Sequence, residues 1–167
     1  MVTHCSIVSS KIEDQMERID HLASKIPEDR LDWTPPIPRA FSISVLLGHL
    51  METVSGFCAV LYAAVPDRLG HFLELKTLSE NKVTGAAEMR RRLEIYRERI
   101  REGFTLVADA DLGRKIPTVF VPEGESFLSL LLVNFEHLAS HKYQLFMYLR
   151  LLGLSVASED LYHFSGK

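Results

Sequence analysis

The sequence has no excess of positive charge: 19 Lys and Arg stand against 22 Asp and Glu, for a formal net charge of −3. Without a basic field there is nothing to gather a phosphate backbone, so a dedicated nucleic-acid binder is excluded. Cysteine is scarce as well. Cys5 and Cys58 lie far apart and form no CxxC unit, which argues against a disulfide framework or a zinc knuckle and fits a reducing compartment. The first residues, Met1-Val2-Thr3-His4-Cys5, lack a basic segment followed by an apolar core, so no signal peptide is expected. Long apolar runs are also missing. The best candidate, from about Val54 to Val65, is interrupted by Ser55 and Gly56 and is too short to span a bilayer. The expectation is a cytoplasmic protein with no membrane and no nucleic-acid partner.

What is present is an ordinary globular composition, 47% apolar and 25% charged over 167 residues, enough for one domain spanning 1–167 with its own core. Four stretches carry helical periodicity. The first runs from about Ser9 to Lys25, with Ile12, Met16, Ile19, Leu22 and Ile26 at three- and four-residue steps, and stops at Pro27. The second runs from Ser42, a cap candidate, to Ala64 before Pro66. The third runs from about Thr84 to Val107, where Met89, Leu93, Tyr96, Ile100 and Phe104 form an apolar stripe. The fourth runs from about Ser126 to Leu152 and ends at Gly153, a left-handed helix stop. The basic run Arg90-Arg91-Arg92 sits among Glu88, Glu94 and Glu98 and reads as a solvated face of ion pairs.

Three connectors join the helices. Leu31 to Arg39 is proline-rich and stiff, Pro66 to Lys82 has room for a short helical turn, and Lys115 to Pro122 is β-branched enough for a short extended segment. Connectors of this length permit crossovers. The class is all-α, a four-helix bundle with long crossover connections.

The fourth helix departs from an ordinary amphipathic pattern. Asn134, His137, His141, Gln144 and Tyr148 step by three, four, three and four through a mostly apolar sequence. The second helix carries a matching strip of Ser42, His49, Glu52, Thr53 and Gly56. His137 and His141, four residues apart, share one helix face. Burying neutral imidazoles is costly unless both nitrogens find partners, and a metal ion is one such partner. If the second helix brings His49 to the same point, a three-histidine site with an open coordination position results. The alternative is a set of partly buried histidines satisfied by neighbours. His4, His21, His71 and His163 sit in terminal, charged or loop contexts and read as surface residues, and Cys58 as core filler.

Gly48 and Gly56, each costing about 1 kcal/mol against alanine inside a helix, suggest a close approach by a neighbour or ligand. Glu52, three residues after His49, is the candidate catalytic carboxylate, able also to orient an imidazole. Asn134 and Gln144 are candidate supporting residues around the cofactor. Glu136 points away and ranks lower.

Three segments carry a family resemblance. They are Trp33-Thr34-Pro35, then Phe41-Ser42-Ile43 leading to Leu47-Gly48-His49-Leu50, and His137-Leu138-Ala139-Ser140-His141-Lys142-Tyr143-Gln144-Leu145. Together they resemble the DinB-like superfamily of metal-binding four-helix bundles, which takes in YfiT-like metal hydrolases and thiol-dependent transferases. The resemblance covers about Ser9 to Gly153 and implies His49, His137 and His141 as ligands, a crossed bundle and a homodimer. Two departures stand out: Phe41 occupies a position often held by tryptophan, and Lys142-Tyr143 stand where a small residue is common before glutamine.

Three neutral histidines suit a borderline divalent ion, zinc above nickel, iron or manganese. Two functions follow. One is a metal-dependent enzyme, a hydrolase or a transferase of low-molecular-weight thiols, acting on a small molecule. The other is a non-catalytic metal- or ligand-binding stress-response bundle. A third, purely structural reading leaves the histidines satisfied within the core. For a homodimer, the third helix offers Tyr96 and Ile100, which core packing would explain equally well.

Overall fold

A computed structural model describes residues 2–78, 83–118 and 121–162. Four long helices, α1 (His4–Ala23), α2 (Ile43–Ala64), α3 (Ala86–Phe104) and α4 (Phe127–Leu151), form the bundle. Two short strands, β1 (Lys115–Ile116) and β2 (Glu125–Ser126), pair antiparallel, with Lys115 opposite Ser126 and Ile116 opposite Glu125. A last turn, α5 (Ser158–Leu161), packs on α1. The second connector holds a 3-10 segment, Gly70–Leu78. Val119 and Phe120, part of the expected extended segment, lie outside the described residues, as does His163.

The helix ends follow local chemistry. Ser42 caps α2 and Ser126 caps α4, each hydroxyl accepting from a backbone N–H in the first turn. Gly153, at φ 77°, follows the end of α4, the left-handed conformation that only glycine adopts cheaply. The first helix begins five residues earlier than its apolar period predicts. Thr3 and Ser6 form a capping box, and the Asp109 carboxylate accepts from the backbone N–H groups of His4 and Cys5. That second cap comes from over a hundred residues away, where no local pattern could reveal it.

α1 packs chiefly against α3 and α4, and α2 against the same two helices. α1 and α2 therefore sit across one diagonal of the bundle and α3 and α4 across the other, while α2 and α3 are neighbours; the first and third long connectors are the crossovers this arrangement requires. The core is a single cluster in which Ile12, Met16, Ile19, Leu46, Leu50, Phe57, Leu93, Tyr96, Ile100, Leu138 and Leu149 have no exposed surface. Tyr96 and Ile100 thus belong to the core and are not a surface for a second chain. A homodimer would have to use other apolar side chains, such as Val133 and Tyr143, which α4 exposes.

Two further expectations change. α2 runs unbroken through Ser55 and Gly56 and is by length and mean hydropathy apolar enough to cross a membrane, but 61% of its most apolar window is buried inside the protein. Its apolarity is spent on the bundle core. Arg92 is the other correction: Arg90 and Arg91 are half exposed, whereas the Arg92 side chain is 3% exposed. Its guanidinium donates to Glu88 at 2.7 Å and to the Leu78 carbonyl at 2.9 Å. A triplet of arginines cannot all face water on a helix, since adjacent positions point about 100° apart.

The proline-rich connector forms a loop closed at its base, where Ile43 N–H donates to the Trp33 carbonyl and Ser44 N–H to the Leu31 carbonyl. At its tip Ile37, Pro38, Arg39 and Ala40 make a β-turn, closed by Ala40 N–H donating to the Ile37 carbonyl at 3.2 Å. Arg39 has φ 63°, the only non-glycine residue with positive φ among those described. Pro at the first corner and positive φ at the second is the type II pattern, in which glycine or asparagine is preferred at the second corner. Arginine there costs on the order of 1 kcal/mol relative to glycine.

Candidate metal centre

His49 lies two turns into α2, and His137 and His141 lie one turn apart on the facing side of α4. Because α2 and α4 are in direct contact, the two polar strips meet. His49 Nε2 is 3.2 Å from His137 Nε2 and 3.1 Å from His141 Nε2. The three rings stand roughly edge to face, with centroids 4.4–5.1 Å apart. The group opens to solvent on the His137 side, while His49 and His141 are half-buried.

The outer nitrogens decide the chemistry of the inner ones. His49 Nδ1 lies 3.2 Å from Glu52 Oε2, and His141 Nδ1 lies 2.8 Å from Gln144 Oε1. Both partners are acceptors, so each Nδ1 carries the proton and each Nε2 presents a lone pair. The Gln144 amide is itself fixed, because its Nε2 donates to the Tyr148 hydroxyl at 3.0 Å. Burial and the neighbouring imidazoles hold His137 below the ordinary histidine pKa, and burial likewise lowers His141 against the opposing pull of Gln144. When both rings are neutral, two lone pairs point at each other across 3.1 Å with no proton to share. That arrangement is repulsive by itself and becomes attractive around a cation. Nitrogens bound tetrahedrally about 2.1 Å from one ion would lie roughly 3.4 Å apart, near the 3.1–3.2 Å of the two pairs that His49 makes. The three histidines could hold a metal ion.

Glu52 reaches only the outer nitrogen of His49 among the triad's ring atoms. Asn134 reaches none of the imidazoles. Its amide donates to the Thr53 carbonyl at 2.9 Å, tying α4 to α2 one turn below the site. This explains Gly56: a Cβ there would lie 2.7 Å from Asn134 Oδ1. Gly56→Ala should therefore destabilise by about 1 kcal/mol despite its better helix propensity, and in an Asn134→Ala background that penalty should vanish. Urea unfolding of the four proteins in the cycle reads this directly; equal effects of Gly56→Ala in both backgrounds would contradict it.

Two aromatic residues complete the surroundings. Phe41, just before the α2 cap, folds back along the helix so that its ring lies 5.8 Å from that of His49. Trp33 meets Tyr148 edge-on at 6.0 Å. The proline-rich loop thus touches the supports of both helices' ligands. Tyr148 was visible as the end of the fourth-helix seam, but Phe41 and Trp33 had no periodic signal linking them to the histidines.

A model of the DinB superfamily matches residues 11–145. The chain belongs to the DinB superfamily. Its fold is similar to that of a DinB-like protein (YjoA) from Bacillus subtilis, with a TM-score of 0.66 and 20% identity, covering 89% of this chain and 94% of the other. No curated protein matches the sequence significantly. The DinB match spans α2 and reaches past both α4 histidines, so the complete triad lies inside it.

The other described histidines, His4, His21 and His71, are paired with acids away from this centre. His4 contacts Asp109 and His71 contacts Glu102, both near the surface. His21 is less exposed than its sequence context suggested, with 22% of its side chain accessible and Nε2 2.8 Å from Asp160. Cys58 is buried at the α2 core face, and burial pushes its thiol up to about 12, the state of an inert side chain.

Proposed function

We propose that His49, His137 and His141 hold one divalent metal ion, and that this DinB-superfamily protein is a cytoplasmic enzyme transferring low-molecular-weight thiols to small electrophiles. The observation that carries the metal is the pair of opposed Nε2 lone pairs 3.1 Å apart, each fixed by an acceptor on the far side of its ring. Zinc is the best match to three imidazoles; nickel, iron and manganese take the same donors. When bound, such an ion supplies a Lewis-acidic centre with room for one further ligand, able to stabilise a thiolate or polarise a carbonyl. Glu52 and Gln144 then act as positioning residues that hold His49 and His141 with their lone pairs inward.

The choice of transferase over hydrolase rests on Glu52. Its carboxylate is engaged with His49 Nδ1, and no other carboxylate among the described residues contacts an imidazole of the triad. Hydrolysis is aided by a free carboxylate that takes a proton from the attacking water, whereas a thiol, the more acidic group, can lose its proton to solvent at the open His137 side without one. The two free cysteines agree with a reducing compartment.

Elemental analysis of protein purified without a histidine tag should find close to one metal ion per chain. Small thiols with electrophilic acceptors should then turn over, and ester and amide panels should not. Turnover of esters alone would make the protein a hydrolase. Bound metal with no turnover in either panel would favour a non-catalytic, stress-response binding role. Absence of stoichiometric metal under any of the four ions would overturn the reading.

A further inference from the structure

Arg39 is difficult to explain by folding. It occupies the second corner of a type II turn, where glycine would relieve the positive φ of 63°, and it lies at the exposed tip of the loop. No hydrogen bond or ion pair engages its guanidinium among the described residues. It is also the only cation between Leu31 and Ser42. The loop that carries it is fixed at the metal centre from both sides, Phe41 lying against His49 and Trp33 against Tyr148, which in turn holds Gln144. Beside Arg39 the loop exposes Ile37 at 55% and Phe41 at 39%. The loop whose Phe41 lies against His49 therefore exposes apolar side chains and bears one positive charge at its tip.

We propose that Arg39 binds an anionic group of the molecule that docks at the triad. The ligand class is a small organic acid whose metal-seeking atom is joined to a carboxylate, or a similar anion, through a short apolar spacer. The spacer lies along Phe41 and Ile37, and the guanidinium takes the anion as a fork of N–H donors. Arg39 is thus a specificity-determining residue for the site, and this reading rests on the proposed metal site. Glu52 and Glu136 are the acids on α2 and α4 beside the histidines and Asp32 is the acid at the base of the loop, which leaves Arg39 as the loop's group for an anion.

The test uses cobalt(II)-loaded protein and two pairs of probes, each pair differing in a carboxylate: 3-mercaptopropionate against 2-mercaptoethanol, and imidazole-4-acetate against imidazole. Cobalt absorption reads binding. The affinity ratio of acid to neutral probe should be about fivefold higher in wild type than in Arg39→Gly, the scale of a partly exposed ion pair, and should shrink with added salt. Arg39→Lys should recover part of it. Arg39→Gly should keep its cobalt stoichiometry and melt no lower than wild type.

An unchanged ratio in both pairs overturns the proposal. So does an Arg39→Gly protein that loses cobalt or unfolds, since the residue would then be structural. If neither thiol binds but the imidazole pair shows the Arg39-dependent preference, the thiol assignment fails and the anion site stands. If no probe reaches the cobalt, the open coordination position and this inference fall together.

Discussion

His141→Ala and His49→Ala should each reduce bound metal from near one ion per chain to a small fraction after dialysis against chelator. Changing a residue that merely orients a metal-bound histidine costs about 10–100-fold in affinity, so losing an imidazole outright should cost more. Gln144→Ala, which frees the outer nitrogen of His141, belongs in that intermediate range. The effect on stability should depend on whether metal is supplied. Without it, removing His141 also removes the opposed lone pair on His49, so the metal-free variant should be no less stable than metal-free wild type by more than about 1 kcal/mol. With metal at a thousand times its dissociation constant, wild type should gain roughly 4 kcal/mol and the variant little. Melting curves with and without zinc, beside elemental analysis, would read both. Full metal in both alanine variants would remove the basis for the site.

Glu88→Ala should be among the most damaging changes to a charged residue away from the metal centre, lowering stability by about 2–3 kcal/mol. Glu88 sits in the first turn of α3, where a negative charge complements the helix dipole, and it accepts from both Arg91 and Arg92. Removing it takes away the carboxylate that meets the buried Arg92 guanidinium at 2.7 Å, and breaking a buried ion pair typically costs about 3–5 kcal/mol. Glu88 itself is 25% exposed, which lets water screen the pair and places the expected loss at the lower end. Arg92→Leu should cost less, about 1 kcal/mol, because it removes the buried charge together with its need for a partner.

The pH dependence has a definite sign. The hydrogen bonds from Arg91 and Arg92 lower the Glu88 carboxyl to about 2, against about 4.3 for an unfolded glutamate. A depressed carboxylate stabilises above its unfolded pKa and ceases to do so as pH falls through its folded one. The melting-temperature gap between wild type and Glu88→Ala should therefore be full at pH 6 and close between about pH 4 and pH 2. In a domain of this size it should amount to roughly 6 °C. A gap that persists unchanged at pH 2 would point to packing and not charge.

Which parts were legible in the chain follows from what is periodic. The apolar repeats Ile12-Met16-Ile19 and Met89-Leu93-Tyr96-Ile100 name the core faces of α1 and α3, and each of these residues is fully buried. His137, His141 and Gln144 were readable as one seam because i, i+4 and i+7 share a helix face. Arg92 was misjudged because composition describes a run of arginines as one object, while the helix turns each to a different side. Gly56 was recognised as an anomaly, but only the approach of Asn134 explains it.

By itself the sequence determined four helices, the cap at Ser42, the start of the fourth helix near Ser126, the stop at Gly153 and the helix faces of the three histidines, since each is a local property of spacing or turn chemistry. Only the tertiary structure decided that α2 lies against α4, bringing His49 Nε2 within 3.1–3.2 Å of the other two. It also decided that Glu52 and Gln144 fix the outer nitrogens, and that a strained arginine sits at the tip of the loop touching the site. The reason is physical: hydrogen bonds and periodicity along one helix are set by neighbours a few residues away. Convergence between helices depends on how the crossover connectors let apolar faces pack, which no local segment encodes.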